Sequence, residues 1–273
     1  DATRTLRTHA SARLRRMLRS LMLLFVLGGV AAATSQAADL ASRRAAVKQA
    51  LEQIERGPLS EFERVARPFA DHPLHPWLEY AHLRRQLDSV ASAEVEDFLR
   101  RNGDLPMAVP LRTAWLEALA QRKDWLQFRA SYAGQQDADL RCAALHARLV
   151  TGMDRDFLDD ALRLWMSGGS LPARCDPAFA ALRVAGRLSS ERYWQRIVLA
   201  AEAGNDGLMR FLARSLPATE QAQAEKFAQF VATPNANSAS ALSADDRSRL
   251  IATATLQKFA RSDADAAQAL YDA

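Results

Sequence analysis

The chain of 273 residues is 49% hydrophobic and 25% charged, with 36 Lys and Arg against 32 Asp and Glu and two cysteines, a composition that excludes disordered, collagen-like and disulfide-dense classes. Its formal charge of +4 comes from the first 37 residues, which hold six of the basic side chains and one acid and leave 30 basic against 31 acidic residues after them. A remainder so close to neutral removes the compositional support for a polyanionic partner, so nucleic acid is not expected.

Arg4, Arg7, Arg13, Arg15, Arg16 and Arg19 precede an apolar run from Leu21 to Val30, and Ser35-Gln36-Ala37 puts small residues at the −3 and −1 positions of a cleavage site. This order predicts a secretory signal peptide over residues 1–37, cut between Ala37 and Ala38. Met17 opens a well-proportioned signal of its own, so residues 1–16 read as an upstream extension of the frame. The apolar run is short for a bilayer span and no cysteine lies near the cleavage site, so no stable membrane anchor is expected and the exported product should be soluble and periplasmic.

From Leu40 the apolar spacing is helical. Leu40, Val47, Leu51 and Ile54 mark one face, closed by Gly57-Pro58, and Phe62, Val65, Ala66 and Phe69 mark the next. Asp71-His72-Pro73-Leu74-His75-Pro76 is predicted to start extended, because each proline disfavours the helical region for its predecessor, and Trp77–Leu87 continues as a helix. Ser92 is the expected cap of a helix that turns Val95, Phe98 and Leu99 inward, and Asn102–Pro106 breaks the chain. Leu111, Trp115 and Leu119 follow at four-residue spacing, then an Arg122-Lys123-Asp124 corner and a helix with Trp125 and Phe128.

Leu140–Phe179 contains both cysteines, Cys142 and Cys175, flanking a segment with a helical stripe at Leu158, Ala161, Leu162 and Trp165, a Ser167-Gly168-Gly169 stop, and Asp176-Pro177 as cap and first-turn proline. Two cysteines without a leftover thiol in an exported chain favour one structural disulfide over a metal pair or redox motif. Beyond it, Tyr193, Ile197 and Ala201 follow a cap at Ser189 or Ser190, Gly204-Asn205 terminates, and Leu208, Phe211 and Leu212 pack the next helix. Pro234–Ala241 reads as a polar break, Leu250, Ala254 and Phe259 as a further apolar face, and Asp263–Ala273 as an element cut off in its middle. No period-two alternation is long enough for a strand. The class is all-α, as a bundle or a solenoid of antiparallel helix pairs, and the length after the signal suits a solenoid.

His72, His75 and His82 with Asp71 and Glu79 have the wrong spacing for two ligands on one helix face, so neither metal nor cofactor is expected. The adjacent pairs Asp159-Asp160 and Asp245-Asp246 point to different helix faces and suit capping better than catalysis. Of Trp77, Trp115, Trp125, Trp165 and Trp194, the Tyr193-Trp194 pair is the candidate for stacking on a sugar, against a default of core packing. Ser/His/Asp triads, glycine-rich phosphate loops and zinc motifs are missing from the sequence.

Several ordered motifs carry a resemblance. His72–Tyr80 (HPLHPWLEY) resembles the HPLYPYLEY-type signature of soluble lytic murein transglycosylases, and Asn102–Pro106, Lys123-Asp124-Trp125, the run from Leu164 to Asp176 and Arg196–Gly207 (RIVLAAEAGNDG) are similar to that family in the same order. The resemblance covers most of residues 40–270. It implies an α-superhelical, U-shaped domain over residues 38–273, a Cys142–Cys175 disulfide, and a parent enzyme that cleaves the MurNAc-β-1,4-GlcNAc bond of peptidoglycan to 1,6-anhydromuramoyl ends. The family's catalytic glutamate lies in a Glu-Ser motif that this sequence lacks, and Gly207-Leu208-Met209-Arg210 matches the accompanying GLMQ-type motif only in part. No residue is therefore assigned as catalytic. The chain is expected to be a scaffold fragment with glycan strands and the missing linker and catalytic domains as partners, the alternative being a non-enzymatic periplasmic helical-repeat adaptor.

Overall fold

The computed structural model describes residues 42–272. The signal-peptide expectation for residues 1–37, its cleavage site at Ala37 and Ala38, and Leu40 of the first apolar face lie outside the described residues. The fold is all-α, with no strand among the described residues, and the chain divides into two compact units, one ending at Arg112 and the other beginning at Thr113.

In the first unit, α1 (residues 42–56) buries Val47, Ala50 and Ile54. It stops where the Gly57 amide returns to the Gln53 carbonyl at 2.7 Å and Pro58 has no amide to offer. A short α2 (Phe62–Ala66), flanked by single 3-10 turns, packs Val65 and Ala66 against Ala50, Ile54, Leu78 and Ala81. The segment before α3 (His75–Arg84) is a chain of turns instead of the expected extended entry: the His72 amide reaches the Phe69 carbonyl at 2.9 Å and the His75 amide reaches the His72 carbonyl at 2.8 Å. Local hydrogen bonds there outweigh the pre-proline bias. Helix α4 (Ser92–Arg101) buries Val95, Phe98 and Leu99 as expected, but its cap position is Ala91 and Ser92 is its first helical residue. Helix α5 (Ala108–Gln121), which runs across the division at Arg112 and Thr113, fully buries Leu111, Trp115 and Leu119.

The second unit continues after a corner at Lys123, where φ is 60°. Asp124 caps α6 (Trp125–Ser131), and Asp137 caps α7 (Ala138–Thr151), accepting from the Leu140 amide at 3.0 Å. Then come α8 (Phe157–Trp165), α9 (Asp176–Val184), α10 (Ser190–Ala203), α11 (Asp206–Ala213), α12 (Ala218–Ala232), α13 (Ala236–Ser240), α14 (Asp246–Phe259) and α15 (Ala264–Asp272). Chain neighbours pack on one another: α6 on α7, α7 on α8 and α9, α10 on α11, and α11 on α12, while α14 returns to α10 and α12. Their inward residues form one apolar core running from Cys142 to Ile251.

Four local expectations are corrected. Asp176 is the first residue of α9 and gives no side-chain cap. Phe211 is 57% exposed, and Met209 fills the core in its stead. The polar stretch after Pro234 holds α13, made possible by a reciprocal capping box between Asn235 and Ser238. In α14 the inward face is Ser248, Ile251 and Thr255, with Leu250 58% exposed. Ser248 and Thr255 tolerate burial because the Ser248 hydroxyl meets the Ser243 hydroxyl at 3.3 Å and the Thr255 hydroxyl donates to the Ile251 carbonyl at 2.7 Å.

Candidate functional site

The most structured irregular segment of the second unit is the loop between α8 and α9. Helix α8 ends at Trp165, and the Ser167 hydroxyl accepts from the Gly169 amide at 3.2 Å to shape the turn. At Gly168 a Cβ would collide with the Leu199 carbonyl oxygen of α10, so only glycine lets the loop lie against that helix. Further along, Asn205 Nδ2 donates to Ser170 Oγ at 3.3 Å, and Arg174 pairs with Asp139 of α7 at 3.5 Å. Cys175, at the end of a 3-10 turn, is bonded to Cys142 inside α7 with a Cα–Cα distance of 4.6 Å, and both cysteines are fully buried. Closing a loop with a sequence separation of 33 stabilises by about 3–4 kcal/mol in the chain-entropy account.

Between this loop and α9–α11 opens a cavity of about 420 Å³, whose walls include Ser170, Leu171, Asp176, Phe179, Arg196 and Phe211. Arg196, on α10, is only 4% exposed. Its Nε donates to the Ser167 carbonyl at 3.1 Å, and its guanidinium lies 4.7 Å over the Trp165 ring. Burial pushes its pKa down to about 10, opposed by neighbouring Tyr193. Among the described residues no carboxylate comes within ion-pair distance of it, although Asp176 lines the same cavity. The arrangement supplies a fixed cation, an acid that does not neutralise it, and apolar walls, which suits binding of a charged, partly apolar group.

In two other concavities the principal basic group is already engaged within the chain. A cavity of about 230 Å³ in the first unit contains Arg101, which is bound by Asp97 at 2.7 Å and Glu79 at 3.2 Å. Another, of about 420 Å³ beside Gly204 and Phe259, contains Lys258, whose ammonium donates to the Ala203 carbonyl.

The candidate sugar-stacking pair is buried. Tyr193 is 7% and Trp194 1% exposed. Tyr193 meets the Trp165 ring edge-on at 5.3 Å; Trp194 packs edge-on against Phe227 at 5.8 Å, donates its indole N–H to Glu220, and is covered by Arg247 at 4.7 Å. Both rings thus take the default of core packing, because α10 packs against α11, α12 and α14 and adjacent positions on it are both inward. The histidines are dispersed in role. His72 Nδ1 accepts from the Leu74 amide at 3.0 Å, His75 lies 3.8 Å from Glu79, and His82 stacks on Phe62 at 4.1 Å, where burial pushes its pKa down.

Gly207-Leu208-Met209-Arg210 forms the first turn of α11, with Leu208 and Met209 in the core and Arg210 held by Glu225 at 2.8 Å and by Asp206. Asp160 is paired with Arg148 and Arg163, Asp159 with Arg187, and Asp246 with Arg249, while Asp245 caps α14. The sequence reading missed Arg196. Its signal was a charge on the inward stripe Tyr193, Arg196, Ala200.

No family model matches the chain. It is 32% identical over 258 residues to the soluble lytic murein transglycosylase of Escherichia coli K12, covering 93% of this chain and 39% of that protein. It is also 32% identical over 232 residues to the enzyme of the same name from Salmonella typhimurium, covering 83% and 35%. The chain thus spans well under half the length of these relatives. In structure it is similar to the 70-kDa soluble lytic transglycosylase of Escherichia coli, with a TM-score of 0.70 and 29% identity over 85% of this chain and 38% of that one. It is likewise similar to an inactive mutant of the lytic transglycosylase Slt of Pseudomonas aeruginosa, with a TM-score of 0.67 and 31% identity over 83% and 37%.

Proposed function

Over the residues it spans, the chain belongs to the soluble lytic murein transglycosylase family, and from this premise we propose that it is a helical scaffold portion of a murein-cleaving enzyme, which holds or orients glycan strands while bond cleavage resides elsewhere. The carrying observation is that 93% of the chain aligns at 32% identity with an enzyme named for murein. The physical character of the molecule supports the same reading. Its acids beside arginines are engaged in ion pairs, its tryptophan–tyrosine pair is core, and its open concavity is built for binding a charged group.

The proposed location is the periplasm, where murein lies and where the buried Cys142–Cys175 bond is chemically at home. No helix among the described residues is long and apolar enough to cross a membrane. The parent reaction would be lytic cleavage of the MurNAc–GlcNAc bond to an anhydromuramoyl end, with the linker and catalytic domains as intramolecular partners. Co-sedimentation of the full chain with purified sacculi and with peptide-free glycan strands tests the scaffold role. Retention in the pellet is the expected result. Absence from both pellets overturns the proposal and leaves the helical adaptor as the reading to pursue.

A further inference from the structure

Resting on the murein reading above, we propose that the cavity between the α8–α9 loop and α9–α11 is a carboxylate site for the peptide stem of murein, with Arg196 as its anchor. A guanidinium withdrawn from water is strongly unfavourable without a counter-charge, and Arg196 at 4% exposure has a carbonyl and an aromatic face but no acid. Arg148, with its side chain 17% exposed, already has two aspartates. An anion entering the cavity would supply the missing charge.

The geometry then selects the anion. With Nε committed to the Ser167 carbonyl and the plane held against Trp165, the two terminal amino groups are the donors that remain, on a side chain lining the cavity. A planar carboxylate matches two parallel N–H donors. Asp176 in the same wall disfavours a dianion such as phosphate, which a single cation would not balance. Leu171, Phe179 and the exposed Phe211 complete the walls, so the ligand must carry small apolar groups beside its charge. An N-acetylglucosamine unit carries an acetyl methyl but no charge, and so meets only the second demand. A short stem of alanine and carboxylate-bearing residues satisfies both, and a cavity of about 420 Å³ lies within the range of small-ligand sites.

The test is calorimetric titration of the full chain with the free-acid tripeptide Ala-γ-Glu-diaminopimelate, its fully amidated form, and chitotriose. The free acid is expected to bind, and amidation or Arg196→Gln to weaken binding by about tenfold or more, the loss expected for a charge-assisted bidentate pair. Arg196→Lys should retain part of the affinity, and Asp176→Asn should raise it. Circular dichroism and the thermal midpoint verify folding of each variant. Should Arg196→Gln fail to fold, Phe211→Ala, at an exposed position, is expected to weaken the same binding. Equal affinity for the acid and amidated peptides, or for wild type and Arg196→Gln, overturns the inference. So does equal affinity for unrelated acidic peptides, which would point to a protein carboxylate as occupant. Retention on sacculi and bare glycan without binding of the tripeptide sinks this site alone, whereas loss of both sinks the scaffold reading with it.

Discussion

Helix α8 has an arginine from another helix laid over an aromatic ring at each end, Arg148 at 5.6 Å over Phe157 and Arg196 at 4.7 Å over Trp165, yet the chain neutralises only the first. At the N-terminal end, Asp159 and Asp160 sit in the first turn, where the helix dipole favours acids. Asp160 then accepts from Arg148 at 2.7 Å, and Asp154 holds the same guanidinium through its Nε at 2.9 Å. Past the C-terminal end, in the loop that follows the helix, Arg196 donates to the Ser167 carbonyl, a partial charge in place of a full one. Identical side chains on similar platforms therefore differ in residual charge. The paired one is structural, and the unpaired one faces a cavity.

The largest effect that bears on this contrast is loss of the disulfide, which anchors the loop beside Arg196. Replacing Cys142 and Cys175 by alanine should lower stability by about 2–5 kcal/mol, read from chemical denaturation. Amide exchange should accelerate over residues 166–176 more than over the α7–α8 turn, whose Asp154 is held by Arg148 and by Arg129 at 3.3 Å. Uniform acceleration would show that the two ends of α8 are not independently supported.

Next in size is Arg148→Met, expected to cost about 1–3 kcal/mol, since charge-assisted hydrogen bonds are lost and Asp154 and Asp160 are left unneutralised. Arg196→Met should change stability by less than about 1 kcal/mol. It removes a hydrogen bond and a cation–π contact but also removes an uncompensated buried charge. Urea midpoints of the two variants give the comparison directly. If Arg196→Met proves the costlier, Arg196 is a structural plug and the contrast collapses.

Much of this architecture was legible in the sequence, because helix periodicity and chain punctuation act locally. The Gly57-Pro58 and Gly204-Asn205 stops, the Asp124 corner and the Val95, Phe98, Leu99 and Leu111, Trp115, Leu119 faces follow from spacing and backbone chemistry. The pairing of Cys142 with Cys175 followed from export chemistry and the family resemblance together. The errors arose where tertiary enclosure decides. Tyr193 and Trp194 point to neighbouring directions on α10 and are both buried because several helices surround it. On α14 the apolar Leu250 lost the inward face to Ser248 and Thr255, whose hydroxyls are satisfied by Ser243 just before the helix and by the Ile251 carbonyl within it. Arg196 was legible only as a charge on an inward stripe: the folded loop is what reveals that this charge has a carbonyl and a ring but no acid beside it.

Asp245 gives the smallest and most specific check, as the carboxylate counterpart of Arg148. Its charge is fully accommodated by its own chain: the Ser243 hydroxyl donates at 2.6 Å, the Ser248 amide at 2.8 Å and Gln223 at 2.8 Å. The Ser243 hydrogen bond is the leading cause that holds its pKa at about 2, below the roughly 3.9 of an unfolded aspartate. A pKa depressed on folding means that the ionised form stabilises the native state. That contribution is complete above about pH 4 and fades as pH falls towards about 2. Asp245→Asn keeps the capping oxygen and removes the charge, so wild type should have the higher thermal midpoint near neutrality, with the gap closing across that acid window. A gap that persists unchanged at pH 2 would mean that the side chain acts through shape alone and that its charge is as little engaged as that of Arg196.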